Sequence, residues 1–303
     1  MPVHVASVSR REFLTRTAAA FAGVSLIRIS QAAPADGVWK LALLSDTHIA
    51  ADPATMGRGI NMVSHLQQAV REVNALTSRP QGVVFNGDCA YLHGKKEDYA
   101  TFAQCVEPLM SAGQTVHMTM GNHDERETFY ETFRGQRPEQ PAVISRHVSL
   151  IETPHANLFL LDSLKQVNVV TGELGEAQRT WLAQILDAHA DKPAVLMAHH
   201  TLQLTPPPEG KAWGGIADTA EFLDLIRARK HVKAYVFGHS HRWSQTREGD
   251  LNLINLPAVA YVFDQKQPSG WTLAQITPQG MEFQLHALDP AHPQHHQVFR
   301  FDW

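Results

Sequence analysis

The chain is short of the features that classify a sequence quickly. Two cysteines in 303 residues, Cys89 and Cys105, allow one bridge at most and exclude a disulfide framework. Basic side chains are outnumbered, 26 Lys+Arg against 30 Asp+Glu, and no basic stripe runs along the chain, so nucleic acid is not expected as a partner. The uncharged run from Thr17 to Ile27 is too short to span a bilayer comfortably. What the chain holds in quantity is histidine, 18 residues. Several of these stand where apolar runs end.

The amino-terminal segment reads as an address. Ser9-Arg10-Arg11-Glu12-Phe13-Leu14 places adjacent arginines before the uncharged run, and the small-residue stretch Ser30-Gln31-Ala32-Ala33 follows. The pattern resembles a twin-arginine export signal. It implies residues 1–33 as signal, cleavage near Ala32 or Ala33, a periplasmic or secreted product and one domain over 34–303. Without residues 1–33, 22 basic and 29 acidic side chains stay, a balance of -7. About 270 residues are enough for one large core.

Five apolar runs of strand length end in metal-ligating residue types. Leu41 to Leu44 stops at Ser45-Asp46-Thr47-His48; residues two apart share a strand face, so Asp46 and His48 form a claw. Gln81 to Asn86 stops at Gly87-Asp88, where one carboxylate can lend an oxygen to each of two cations roughly 3.5–4 Å apart. Thr115 to Met120 stops at Gly121-Asn122-His123-Asp124, an uncharged oxygen ligand, an imidazole free to meet substrate and a carboxylate able to hold it. Pro193 to Ala198 stops at His199-His200, with His199 the favoured ligand and His200 the fallback, and Val232 to Phe237 stops at Gly238-His239-Ser240-His241. Any one aspartate here could merely cap a helix or turn. Five strand ends together point to a shared metal site.

Between the strands lie helical patterns at about Ile60–Leu76, Lys96–Glu107, Glu125–Phe133, Glu176–His189 and Thr219–Arg229. Strands alternating with helices imply a largely parallel sheet whose sites gather at the carboxyl ends of its strands. His147 to Ile151 and Asn157 to Leu161 read as a second sheet or a mixed edge. Leu251–Asn255, Val259–Phe263, Gly270–Ile276 and Met281–Ala287 read as the antiparallel half of the second sheet. The tail, His292-Pro293-Gln294-His295-His296, reads as a solvated end.

In order, Asp46-Thr47-His48, Gly87-Asp88, Gly121-Asn122-His123-Asp124, His199 and Gly238-His239-Ser240-His241 resemble the signature of the calcineurin-like metallophosphoesterases. Within that superfamily, the compact size, the Gly172 to Leu182 segment and the double histidine resemble the branch of bacterial cyclic nucleotide and glycerophosphodiester phosphodiesterases. The resemblance implies an α/β fold, a four-layer α-β-β-α sandwich of two mixed β-sheets flanked by helices. It implies one metal on Asp46, His48, Asp88 and His241 and another on Asp88, Asn122, His199 and His239. Two divalent or mixed-valence ions are expected, and mixed O and N ligands without thiolate suit iron, manganese or zinc. A metal-bridging hydroxide would hydrolyse a small-molecule phosphoester, most simply a diester, with His123 at the leaving oxygen and Asp124 or a backbone carbonyl fixing its tautomer.

Thr201-Leu202 departs from that branch, where proline is expected after the double histidine, and the loop around Trp213 has no clear counterpart. Two other readings share the ligands: a phosphomonoesterase of the same superfamily, and a non-catalytic metal or ligand-binding protein. Intact His123 speaks against the second, because a scaffold that only holds metal has no use for an extra imidazole there.

Overall fold

The computed structural model describes residues 26–27 and 37–303. The signal segment expected over residues 1–33 lies outside the described residues except for Leu26–Ile27. In chain order the strands are β1 (Leu26–Ile27), β2 (Trp39–Leu44), β3 (Met56–Gly57), β4 (Ile60–Asn61), β5 (Gly82–Asn86), β6 (Val116–Thr119), β7 (Ser149–Glu152) and β8 (Asn157–Leu160). They continue with β9 (Ala194–Met197), β10 (Val232–Phe237), β11 (Ser244–Glu248), β12 (Leu251–Asn255), β13 (Gly270–Ile276), β14 (Gly280–Ala287) and β15 (Val298–Asp302). The helices are α1 (Met62–Ala75), α2 (Lys96–Ser111), α3 (Arg126–Thr132), α4 (Glu176–Ala188) and α5 (Thr219–Arg227).

Two mixed sheets carry the molecule, one in the order β1-β7-β8-β9-β10-β12-β11 and one in the order β15-β14-β13-β2-β5-β6. Three apolar layers hold them. Leu41, Leu43 and Val84 of one sheet meet Leu158, Val195 and Val236 of the other. Opposite faces of the same strands pack outward: Phe85 and Met118 against Leu66, Phe102 and Phe129 of α1, α2 and α3, and Leu196 and Tyr235 against Leu182 and Phe222 of α4 and α5. Strands buried on both faces read as continuous apolar runs, as Gly82–Phe85 does. The result is the expected four-layer α-β-β-α sandwich.

Parallel pairing aligns the strand ends. β2 pairs with β5 and β5 with β6, so Leu44, Phe85 and Met118 stand side by side. Across the sandwich β9 pairs parallel with β10, matching Met197 to Val236. The turns that follow β2, β5, β6, β9 and β10 therefore open at one end of the molecule.

The carboxyl-terminal region differs from its expected form. Leu251–Asn255 is parallel to β10 in the first sheet, while Gly270–Ile276 and Gly280–Ala287 form the antiparallel part of the second. Val259–Phe263 is not a strand; its backbone is taken up by the metal-side turn, with the amides of Val259 and Ala260 donating to the carbonyls of Ser45 and Asp46. Residues 292–296 are half-buried to exposed, as expected of a solvated stretch, and they lead into a further strand. Val298–Asp302 pairs with β14, and the His296 amide donates to the Leu285 carbonyl.

Candidate metal centre

Among the described residues nine non-glycine positions have positive φ, and five of them are expected ligands: Asp46 (55°), His48 (48°), Asp88 (48°), His239 (66°) and His241 (51°). Each left-handed residue costs on the order of 1–3 kcal/mol and persists only where the surroundings over-determine it. Here they do. The Asp46 amide donates to Gly87 O (3.2 Å), His48 to Asp88 O (2.9 Å), and Gly238 to His199 O (2.9 Å). Asp46 Oδ1 accepts from the His239 amide at 3.1 Å, which ties the turn after β2 to the turn after β10. A Cβ at Gly238 would strike Ser45 Oγ and the Asp46 carboxylate, so the close approach of those turns requires glycine.

The side chains then converge in overlapping groups. Ligand atoms of Asp46, His48 and His241 lie within 4.8 Å of one another, as do those of Asp88, His199 and His239. A third group joins His48, Asp88 and His123. Asp88 Oδ2 is 3.2 Å from His199 Nε2 and 3.8 Å from His48 Nε2, so this carboxylate faces both sides of the site. His241 Nε2 is 3.3 Å from Asp46 Oδ1 and 3.1 Å from His48 Nε2.

Second partners fix the ring tautomers. His199 Nδ1–H donates to Asn86 O (2.9 Å) and His241 Nδ1–H to Tyr261 O (2.5 Å), which leaves both Nε2 lone pairs pointing inward. Asn122 Oδ1 is buried and has no hydrogen-bond partner. Lone pairs facing one another, beside an unpartnered carbonyl oxygen and two buried carboxylates, suit cations and little else. The donor set therefore fits the implied metal pair.

The electrostatics agree. Burial by itself would raise the Asp46 carboxyl, yet His199 and His241 hold it below the ordinary carboxylate range. Burial likewise opposes the Asp88 charge, and His199 overrides it, so Asp88 is lowered as well. His199 is raised to about 10 because the carboxylates of Asp88 and Asp46 outweigh its burial. Burial and neighbouring imidazoles push His48 down to about 3 and His239 down to about 4, against the attraction of Asp88 and Asp46. The basin attracts positive charge and keeps His48 and His239 neutral.

Six of the expected ligands, Asp46, His48, Asp88, His199, His239 and His241, fall in these groups, and His199 rather than His200 is the one that enters. The His200 Nδ1 edge faces Ser163 Oγ at 2.8 Å, and its ring lies 4.6 Å from that of His239, supporting it from behind. His123 sits at the rim, with Nε2 4.0 Å from Asp88 Oδ2 and Nδ1–H donating to Leu92 O (3.0 Å).

Asp124, expected as a catalytic partner of His123, is elsewhere. Its oxygens accept from the amides of Cys89 (3.1 Å), Ala90 (3.2 Å) and Gly121 (2.9 Å) and from Tyr99 Oη (3.0 Å). It ties the turn after β5 to the turn after β6, and of the two tautomer-fixing groups the backbone carbonyl is the one present. Cys89 and Cys105 are free buried thiols. Sequence reasoning missed Tyr99, Ser45 and the Tyr261–Phe263 shelf, whose rings stack on ligand imidazoles: Tyr261 on His48 at 5.2 Å and Phe263 on His241 at 4.3 Å.

With this geometry in place, comparison with known proteins is informative. The calcineurin-like phosphoesterase family matches residues 40–243. The 3′,5′-cyclic adenosine monophosphate phosphodiesterase CpdA of Haemophilus influenzae is 24% identical over 253 residues, 82% of this chain and 86% of that protein. The glycerophosphodiester phosphodiesterase GpdQ of Enterobacter lignolyticus is 26% identical over 263 residues, 82% and 91% of the two chains. Among solved structures, a dimetal phosphatase from Danio rerio superposes with a TM-score of 0.64 at 15% identity, covering 88% of this chain and 99% of that one.

Proposed function

The chain belongs to the calcineurin-like phosphoesterase family, and from that premise we propose that it hydrolyses phosphodiesters at the centre described above. Asp46, His48, Asp88 and His241 hold one cation; Asp88, Asn122, His199 and His239 hold the other. A cation pair supplies Lewis acidity toward the phosphoryl oxygens and acidifies water enough to give a nucleophile at neutral pH. Iron, manganese and zinc all suit this donor set.

The protein's own part is orientation and proton handling. His123 stands at the rim with its Nδ1–H engaged by Leu92 O, so when the ring carries a second proton that proton is on Nε2, from which it can pass to the departing oxygen and leave the neutral ring. The Asp88 carboxylate accepts from the His123 amide (2.8 Å), which couples the position of this acid to the metal basin. The diester preference rests on the relatives, which are named as phosphodiesterases. The arginine pair at Ser9 to Leu14 supports export of the chain already folded.

One observation carries the reading. Six of the proposed ligands and His123, from five separated turns, meet in overlapping groups at one end of the sandwich. The test is metal analysis and turnover of Asp88→Asn beside the parent protein. Two bound ions and faster hydrolysis of bis(p-nitrophenyl) phosphate than of the mono-ester are expected for the parent, with fewer ions and activity lost in the variant. Faster turnover of the mono-ester would reassign the enzyme as a phosphomonoesterase, and unchanged metal content in the variant would sink the ligand assignment.

A further inference from the structure

We propose that Arg58 and Phe263 form a specificity-determining clamp that favours phosphoesters carrying a planar aromatic substituent. The inference rests on the phosphodiesterase reading and names the group that such a substrate presents beside its phosphorus.

The first observation is a residue that does not suit its turn. β3 and β4 pair as Met56↔Asn61 and Gly57↔Ile60, which leaves Arg58-Gly59 as a two-residue hairpin loop. Both have positive φ, 48° and 82°. That is the type I′ combination, which favours Asn, Asp or Gly at its first position. A long cationic side chain there costs conformational free energy, and nothing in the fold explains it. Among the described residues the Arg58 guanidinium meets no carboxylate and no hydrogen-bond acceptor; its contacts are two aromatic rings, Phe263 at 4.7 Å and Tyr261 at 6.0 Å.

The second observation is where those rings stand. Phe263 is stacked on the ligand imidazole of His241 with centroids 4.3 Å apart and planes 27° from parallel. Phe263 thus carries the imidazole and the guanidinium at once, and it is still 53% exposed, so flat aromatic surface stays open beside His241. The shelf beneath is fixed, since Tyr261 O accepts from His241 Nδ1 and the Ala260 amide donates to Asp46 O. A Cβ at Gly57 would meet the Tyr261 ring at 2.7 Å, so the hairpin is seated directly on this shelf.

The spacing decides what Arg58 reads. Among the described residues the guanidinium lies over the rings of the shelf and pairs with no ligand side chain, so it stands beside the metal basin, where an ester substituent would lie, and not in it. Planar guanidinium and the open ring of Phe263 both favour planar π surfaces.

The experiment compares kcat/KM for 3′,5′-cyclic AMP and for glycerophosphoglycerol, both singly charged diesters, in the metal-loaded parent protein, Arg58→Asn, Arg58→Lys and Phe263→Leu. Asn suits the turn, so the fold is retained, and melting curves verify it. The nucleotide-to-alkyl ratio is expected to fall about tenfold in Arg58→Asn, carried by KM, the scale of one lost cation–π or stacking contact. Arg58→Lys, which keeps the charge and loses the planar face, and Phe263→Leu, which removes its support, are expected to fall with it. An unchanged ratio, an equal loss on both substrates, or a parental ratio in Arg58→Lys overturns the clamp, the last assigning Arg58 to plain charge attraction. Parent protein that hydrolyses only the alkyl diester also overturns it, whereas parent protein that hydrolyses neither diester fails the phosphodiesterase reading instead.

Discussion

A carboxylate one residue after an imidazole reads naturally as its partner, yet Asp124 faces backbone amides of the turn after β5 and the hydroxyl of Tyr99. Gly121 to Asp124 forms a tight turn in which the Asp124 amide donates to Gly121 O (3.2 Å), and that turn sends His123 to the site and Asp124 behind it. Their substitutions should separate cleanly. His123→Ala should retain two metals and lose about 10²–10⁴-fold in kcat, the span of general acid catalysis. Asp124→Asn removes one acceptor from four donors and should weaken metal affinity or activity by about 10–100-fold, as loss of a supporting group does. Metal stoichiometry alongside kinetics decides it; loss of both ions in His123→Ala would show that this ring is a ligand. The ligands themselves were legible because each follows an apolar run directly. Arg58, Tyr261 and Phe263 were not, because their meaning depends on contacts across some two hundred residues of sequence.

Elements were legible where burial dictates composition and hidden where it does not. β2, β5, β9 and β10 are covered on both faces and announce themselves as apolar runs. β11, with the sequence SQTRE, is a half-exposed edge strand that carries no such pattern. α2 runs through Pro108 to Ser111 although proline argues for an earlier stop, because a proline in the final turn forfeits only one helical hydrogen bond. Val259–Phe263 alternates like a strand but folds as a shelf. β6 raises a further point. Val116 and Met118 face the helices, and between them His117 points to the other side, buried with no partner on either ring nitrogen. Burial, aided by His147, lowers it to about 4. As pH falls below 6.5 the unfolded chain takes a proton that the folded chain refuses, so stability declines between about 6.5 and 4, by about 3 kcal/mol in full. His117→Phe should therefore gain on the parent protein as pH is lowered from 7 to 4.5 in urea melts. A difference that does not change with pH would exclude this strand as a source of acid sensitivity.

At the scale of the whole molecule the ligands divide between the sheets: Asp46, His48, Asp88 and Asn122 follow strands of one, His199, His239 and His241 follow strands of the other. A bound cation pair is thus a cross-link between the two halves of the sandwich, and its binding free energy adds to folding stability. Removing metal with a chelator should lower Tm by on the order of 5–10 °C, with recovery on readdition; an unchanged Tm would mean that the halves hold together without it. The same division bears on export. The site needs residues from 46 to 241 in place, so it exists only once nearly the whole sandwich has folded, and a chain threaded unfolded across a membrane would have to find its metals outside. The arginine pair at Arg10 and Arg11 offers the alternative, passage after folding and loading. Replacing both by lysine, or blocking the twin-arginine route, should leave metal-filled enzyme in the cytoplasm and none beyond it. Metal-filled, active protein recovered outside the membrane under that block would refute folded export.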